Sequence, residues 1–319
     1  MSRFNIAPLL QLAQTLRGAD FGAIKSQAAK DNPWFTEPMI DYAVQAILHE
    51  LLDERKLREW LSSYDRPHSW RAGRVGIVAA GNLPMVGFYD LLCAVAVGHS
   101  VSLKCSSKDD ILMAYVAQVV DWDVELTTQI DPYDVDMVLA TGGDGAMEYF
   151  RSHFTTIPLL LRGHKESAAI VSAELSGQQV ALLADDMFLY WGRGCRSVSH
   201  LFVESGVDVA GLVEALAAQG GRFALPAFRD NYRYQRARFA MQGQGYLDGG
   251  FFLLCPPLLD VEPALGVVYL HNGLPSDEQI ASFQCVVGPG FTPYGQGQHP
   301  ALSDAPDGVD VVDFLLRSF

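Results

Sequence analysis

The first sixty residues carry a helical alternation of apolar and polar positions. Leu9, Leu10, Leu12, Ala13 and Leu16 recur at helical spacing, and Ile40, Ala43, Ala46, Ile47, Leu51, Leu52, Leu57 and Leu61 continue it over 40–60. Asp31-Asn32-Pro33 separates the two runs, and Thr36-Glu37-Pro38 reads as a helix start. Arg66-Pro67-His68 closes this part. The pattern then changes. Arg74-Val75-Gly76-Ile77-Val78-Ala79-Ala80 predicts a short buried strand, followed by Gly81-Asn82-Leu83-Pro84 and an apolar helix through Val97. Val101-Ser102-Leu103-Lys104 predicts a second strand and 110–120 a second helix. Residues 135–140 predict a third strand, which ends at Thr141-Gly142-Gly143-Asp144-Gly145. Residues 159–161 and 168–171 add further strands. Strands alternating with helices predict βαβ units and a parallel sheet. Ligands of such sheets gather at the carboxyl ends of the strands.

A second unit begins near residue 178. A helix over 179–190 leads into Gly192-Arg193-Gly194-Cys195, and Ser199-His200-Leu201-Phe202-Val203 predicts a strand. A helix over 209–218 follows, then strands near 251–255, 267–270 and 284–287, and a Gly/Pro-rich stretch over 288–300. The organisation expected is an N-terminal helical part over 1–70 packed on the next domain, a parallel-sheet domain over 71–170, and a second α/β domain over 171–319 with a C-terminal return segment. A chain of 319 residues, 49% hydrophobic, is long enough for two cores.

Charge removes one class of function. Twenty-three Lys and Arg stand against thirty-seven Asp and Glu, a net charge of −14. A protein that grips nucleic acid through its phosphates needs a basic face, so no nucleic-acid partner is expected. The apolar runs are too short to span a bilayer, and MSRFNIAPLLQLAQTL lacks the apolar core of a signal peptide. The expectation is a cytoplasmic protein without membrane insertion.

The five cysteines form no CxxC pair and no zinc-type spacing, which suits reduced thiols. Cys93, Cys255 and Cys285 lie in apolar segments and Cys105 closes a strand, so each reads as a small buried hydrophobe. Cys195 differs. It follows two glycines, which let a substrate approach the sulfur, and Arg193 and Arg196 flank it, which favours thiolate. It is a candidate nucleophile, with a structural thiol as the alternative. Asn82, at a strand-to-helix turn, is either an amide donor to an oxyanion or a helix cap. Lys104 with Ser106, Ser107 and Lys108 suits the ribose or phosphate of a dinucleotide, or is a solvated loop. Thr141, Gly142 and Gly143 would let backbone N–H groups approach a pyrophosphate, although the run is not a GxGxxG fingerprint. The eight histidines are scattered and no metal site is expected.

Several segments together resemble the LuxC-type acyl-CoA reductases (fatty acid reductases) of the aldehyde dehydrogenase superfamily, over nearly the whole chain. They are Asn32-Pro33-Trp34-Phe35-Thr36 with Lys56-Leu57-Arg58-Glu59-Trp60-Leu61, the stretch VGIVAAGNLPMVGFYDLLCAVAVGHSVSLKCSSKD, Phe188-Leu189-Tyr190-Trp191-Gly192-Arg193-Gly194-Cys195, Tyr294-Gly295-Gln296-Gly297-Gln298-His299-Pro300 and Asp307-Gly308-Val309-Asp310. The resemblance implies an aldehyde dehydrogenase-like α/β fold, with a parallel-sheet cofactor domain and a catalytic domain carrying the nucleophile. It implies Cys195 as nucleophile, with Asn82 and the Cys195 backbone N–H as oxyanion donors. Lys104 would hold the adenosine ribose side of the cofactor, beside Ser106, Ser107 or Lys108, and Gly142 and Gly143 would line the turn near its pyrophosphate and nicotinamide.

The reaction implied is reduction of an acyl thioester, on CoA or an acyl-carrier protein, to an aldehyde. NADPH is the cofactor expected, with NADH as the alternative. Rival readings are the reverse, oxidative reaction and an inactive scaffold; the presence of both Cys195 and Asn82 speaks against the scaffold. Hydrolytic members carry a Glu in Glu-Leu-Gly-Gly-Lys; here Leu161-Arg162-Gly163-His164-Lys165 matches, with Leu161 at the general-base position. The chain is also shorter than typical members and the long oligomerisation arm has no match. A homo-oligomer or a complex with acyl-activating enzymes stays open.

Overall fold

The computed structural model describes residues 4–258 and 261–317; residues 1–3, at the head of the expected helical part, lie outside the described residues. Two units emerge. One runs up to His164 and takes back the segment from Ala301; the other is Lys165–Pro300.

The first unit is built on five parallel strands, β1 (Arg74–Val78), β2 (Ser100–Lys104), β3 (Val124–Leu126), β4 (Met137–Thr141) and β5 (Leu159–Arg162), in the order β3-β2-β1-β4-β5. The chain builds outward from β1 to β3, then returns to the other side of β1 with β4. Such a reversal opens a crevice at the carboxyl ends of the two strands. Helix Phe88–Val97 is almost wholly buried and ends at Gly98, whose φ of 104° lets its N–H reach Ala94 O. The N-terminal helices Ala7–Leu16, Phe21–Asp31, Glu37–Ala46 and Glu54–Ser62 share one core with β1 and β2. The single run expected over 40–60 is interrupted. A π-helical turn, Ile47–Leu51, ends it, and Asp53 starts the next helix by accepting from Lys56 N–H at 2.9 Å.

The second unit carries β6 (Ser167–Val171), β7 (Val198–Val203), β8 (Leu247–Asp248), β9 (Leu253–Cys255), β10 (Val267–Asn272) and β11 (Cys285–Val287), in the order β11-β6-β7-β10-β9-β8. All pairs are parallel except β8 with β9.

The division read from the sequence between 170 and 171 is corrected here. β6 pairs with β7 and β11, so it belongs to the second sheet and the boundary falls at 164/165. The segment after Pro300, expected in the second domain, packs on the first. Val311, Val312, Leu315 and Leu316 of helix Val311–Arg317 are buried in its core. Tyr64 donates to Asp310 at 2.7 Å, Tyr89 to Leu302 O at 2.9 Å, and His99 Nε2 meets Leu315 O at 3.1 Å. Among the described residues no helix is long and apolar enough to cross a membrane.

Candidate active site

β1 pairs Val78 with Lys104 of β2 on one side and with Ala140 of β4 on the other. The turn after β1, Lys104 and Thr141 therefore stand at the carboxyl ends of three adjacent strands. Asn82 lies half-buried in that turn. Close packing holds the turn against the loop after β2: a Cβ added to Gly81 would sit 2.5 Å from Ser106 Oγ. Met85, at a left-handed φ of 57°, donates its N–H to Asp109 Oδ2 at 2.6 Å. Asp109 stands at the N-cap of helix Asp110–Val119, and its carboxylate also serves the Asn82 turn. Burial pushes its carboxyl up to about 8, against the lowering effect of the Met85 N–H.

The other cofactor-side candidates share this edge. Lys104 and Ser106 are half-buried, Ser107 and Lys108 exposed. Lys108 N–H donates to Ser106 Oγ at 3.3 Å, and Lys108 O accepts from Asn32 Nδ2 at 2.8 Å. The Asn32-Pro33-Trp34 segment thus fixes the lysine loop. Across the crevice, Thr141 ends β4 and Gly142 N–H donates to Arg162 O at 3.1 Å. Gly143 is exposed at the N-cap of helix Asp144–His153, where an added Cβ would meet no atom within 4 Å. A cation, two hydroxyls and an accessible helix start suit a ligand bearing phosphate and ribose. Beside Thr141, β5 places Leu161 half-buried, and Arg162 in a buried ion pair with Asp90 of helix Phe88–Val97.

Cys195 lies in the second unit. It is exposed, whereas Cys93, Cys255 and Cys285 are buried and Cys105 half-buried. The loop before it is unusual: Tyr190, Trp191 and Gly192 hold φ of 53°, 63° and 71° in succession. Left-handed backbone costs about 1–2 kcal/mol per non-glycine residue and persists where surrounding structure over-determines it. Here Tyr190 and Trp191 are buried at 7% and 4% exposure, with Trp191 packed on Phe228.

One polar tie holds the cysteine's own backbone, and others hold the residues on either side of it. Fully buried Ser167 receives the Cys285 N–H at 3.1 Å and donates to Cys195 O at 2.8 Å. The pairing of β6 with β7 slips at this point, leaving Ser199 as an extra residue, a bulge of the kind that re-aims side chains beside sites. Ser197 Oγ accepts from Gly194 N–H at 3.2 Å and from Gln298 Nε2 at 3.4 Å. Arg196 donates to Gly297 O at 2.6 Å and to Cys285 Sγ at 3.5 Å, so its guanidinium also ties loops together. Asp186, in helix Gly177–Phe188, accepts the N–H groups of Gly295 and Gly297 at 2.6 and 2.8 Å, and burial raises its carboxyl to about 6. The motif ending in Cys195 and the Tyr294–Pro300 motif are thereby laced into one cluster. Glu166 has its carboxylate 2.9 Å from His200 Nε2.

Asn82 and all the cofactor-side candidates belong to the first unit, Cys195 to the second. Ser167, Asp186 and Asp109 were not legible as site residues from the sequence. Asp186 had a visible signal, a carboxylate inside the apolar run ALLADDMFLY. Ser167 and Asp109 had none, since each acts on a partner distant in sequence.

The family described as acyl-CoA reductase (LuxC) matches residues 39–224, a span that takes in Asn82, Lys104, Thr141 and Cys195. By structure the chain is similar to gamma-glutamyl-gamma-aminobutyraldehyde dehydrogenase from Burkholderia cenocepacia, with 15% identity and a TM-score of 0.65 over 88% of this chain and 70% of that one. An NAD-dependent benzaldehyde dehydrogenase from Corynebacterium glutamicum gives 12% identity and 0.65 over 88% and 75%. Aldehyde dehydrogenase 21 from Physcomitrella patens, in complex with succinate, gives 12% and 0.61 over 89% and 72%. At such identities the likeness is one of fold. No curated protein matches the chain.

Proposed function

Because the chain belongs to the acyl-CoA reductase (LuxC) family, and so is an oxidoreductase of acyl and aldehyde groups, we propose that it reduces an acyl thioester to an aldehyde through an acyl group held on Cys195. The observation that carries this reading is the exposure of Cys195, unique among the five thiols, inside the family-matched span.

A nicotinamide dinucleotide fits the carboxyl edge of the first sheet, where the space that a Cβ at Gly143 would fill is open. Lys104, Ser106, Ser107 and Lys108 would hold its adenosine side and Thr141, Gly142 and Gly143 its pyrophosphate side. Two lysines beside the ribose favour NADPH over NADH. When bound, the cofactor supplies a hydride.

The chain's own part is acyl transfer. The Cys195 thiolate adds to the thioester carbonyl, and Asn82 with the Cys195 N–H donates to the oxyanion. The carrier thiolate leaves and takes up a proton, and the acyl group remains on sulfur. Once the acyl carbon has been reduced, the C–S bond breaks, giving the aldehyde and the Cys195 thiolate. Water competes poorly, because Leu161 cannot act as a base and Glu166 is engaged by His200. A general base is worth about 10²–10⁴ in rate, so its loss keeps the acyl group on sulfur until reduction.

Labelled hexadecanoyl-CoA given without cofactor should leave its label on the peptide containing Cys195, and reduced cofactor should then release hexadecanal. Label on Cys105, or undiminished aldehyde formation by Cys195→Ala, would overturn the assignment. Asn82→Ala should lower kcat by about 10²–10³ while cofactor binding, read by fluorescence, persists. A change within about twofold would leave Asn82 a turn residue.

A further inference from the structure

The longest helix of the second unit, Pro226–Gln242, reverses the charge of the protein around it. The chain carries a net charge of −14, yet this segment holds Arg229, Arg233, Arg236 and Arg238 against one acid, Asp230. Those four are half of the eight Lys and Arg in residues 165–300. Phe228, Tyr232, Gln235 and Phe239 form its narrow buried stripe. Arg229, Arg233 and Arg236 follow the same spacing one position further round and are exposed, making a ridge about 10 Å long at 1.5 Å per residue. Beyond the ridge lie Tyr234 and Met241, 64% and 88% exposed, with exposed Ala237 between them.

Little on the surface neutralises the ridge. Arg233 meets Asp230 and Arg236 meets Asp248, each at 3.6 Å and each more than a third exposed. Exposed pairs of that kind are weak. Among the described residues no carboxylate lies within ion-pair distance of Arg229. The helix is also seated on the loop that precedes Cys195. Phe228 packs on Trp191 with ring centroids 6.3 Å apart, Asn231 Nδ2 donates to Leu265 O, and Leu265 reaches Gly192.

Donors that bind one small anion converge in a hollow. These are spread along a convex helix side next to exposed Tyr and Met. Arg, Tyr and Met are the residues enriched where proteins meet, and the sign of the ridge selects an acidic partner. We infer that this arginine ridge docks an acidic protein that carries the acyl thioester, presenting it beside the Cys195 loop. The inference rests on the thioester-reductase reading and chooses a carrier protein over CoA. Charge complementarity of this kind acts on encounter and on salt dependence.

The test compares the wild type with the triple variant Arg229→Glu, Arg233→Glu, Arg236→Glu on three substrates: hexadecanoyl-acyl-carrier protein, hexadecanoyl-CoA and hexadecanoyl-pantetheine. The side chains are exposed, so the variant should melt at the wild-type temperature; Arg→Gln at the same three positions serves as a milder variant if it does not. KM for the carrier-protein substrate should rise by about tenfold or more and lose its salt dependence, with KM for hexadecanoyl-pantetheine unchanged. An unchanged KM for the carrier-protein substrate would overturn the inference. So would a rise confined to hexadecanoyl-CoA, which would make the ridge a phosphate site, or dissociation of a wild-type oligomer by the variant, which would make it a contact between copies. If the wild type reduces none of the three, it is the reductase reading that fails. Anisotropy of fluorescently labelled holo-acyl-carrier protein then tests docking without turnover: binding to the wild type and not the variant supports the ridge, and equal binding or none defeats it.

Discussion

Asp109 shows how one buried carboxyl couples the Asn82 turn to pH. Its folded pKa is about 8 against an ordinary value of 3.8. Between those values the folded chain keeps a proton that the unfolded chain has released. Its contribution to stability is therefore full below about pH 4 and is lost as pH rises toward 8. Asp109→Asn cannot ionise, so that slope should disappear. Urea midpoints measured across the window should show the wild type losing stability relative to the variant as pH rises. Parallel pH dependences would rule the titration out. At this scale the sequence was legible where chemistry is local. Cys195 announced itself through Gly192, Gly194 and the flanking arginines. Ser167 did not, because a serine ahead of an apolar strand has no visible partner until Cys285 and Cys195 are folded against it. Nor did anything in Tyr190-Trp191 indicate left-handed backbone, which bulky residues adopt only when packing imposes it.

Among elements, the strands that carry the candidate site were the most legible. β1, β2 and β4 are short apolar runs ending in Gly- or Lys-containing turns, and their parallel pairing follows from the alternation with helices. β3 was missed because only three residues pair and two of them are exposed. Helix Pro226–Gln242 was missed for another reason. Its buried stripe holds only four residues, one of them Gln235, in a run rich in arginine, so apolar periodicity hardly registers. Register makes Lys104 a matter of the element as well. Its carbonyl accepts Ala79 N–H at 3.0 Å, a bond that any residue can supply, so Lys104→Ala should keep β2 in place. KM for the nicotinamide cofactor should then rise more than KM for the acyl thioester. Equal increases in both would mean that the lysine serves folding.

On the scale of the whole molecule, the sequence showed two α/β units but misplaced their seams. An apolar strand looks the same whichever sheet it joins, so β6 was counted with the first unit. The short helix Val311–Arg317 gave no sign of where it docks. Its burial in the first core makes a stability prediction. Leu315 is 0% exposed, and Leu315→Ala should cost about 2–5 kcal/mol, measured by urea unfolding. A loss below about 0.5 kcal/mol, typical of surface positions, would mean that the segment does not close that core.

That closing helix also bears on how the protein is made. Ribosomes extend chains at about 5–20 residues per second, so roughly seven to thirty seconds separate the emergence of His164 from that of the helix. Throughout that interval the nascent first unit has only its early segments, and the apolar slot against helix Phe88–Val97 stands open. A bare greasy cleft on a ribosome-bound intermediate is the kind of surface that chaperones shield and that promotes aggregation when it stays exposed. Slow translation through 165–300 should therefore lower the soluble yield of this protein, and extra chaperone should restore it.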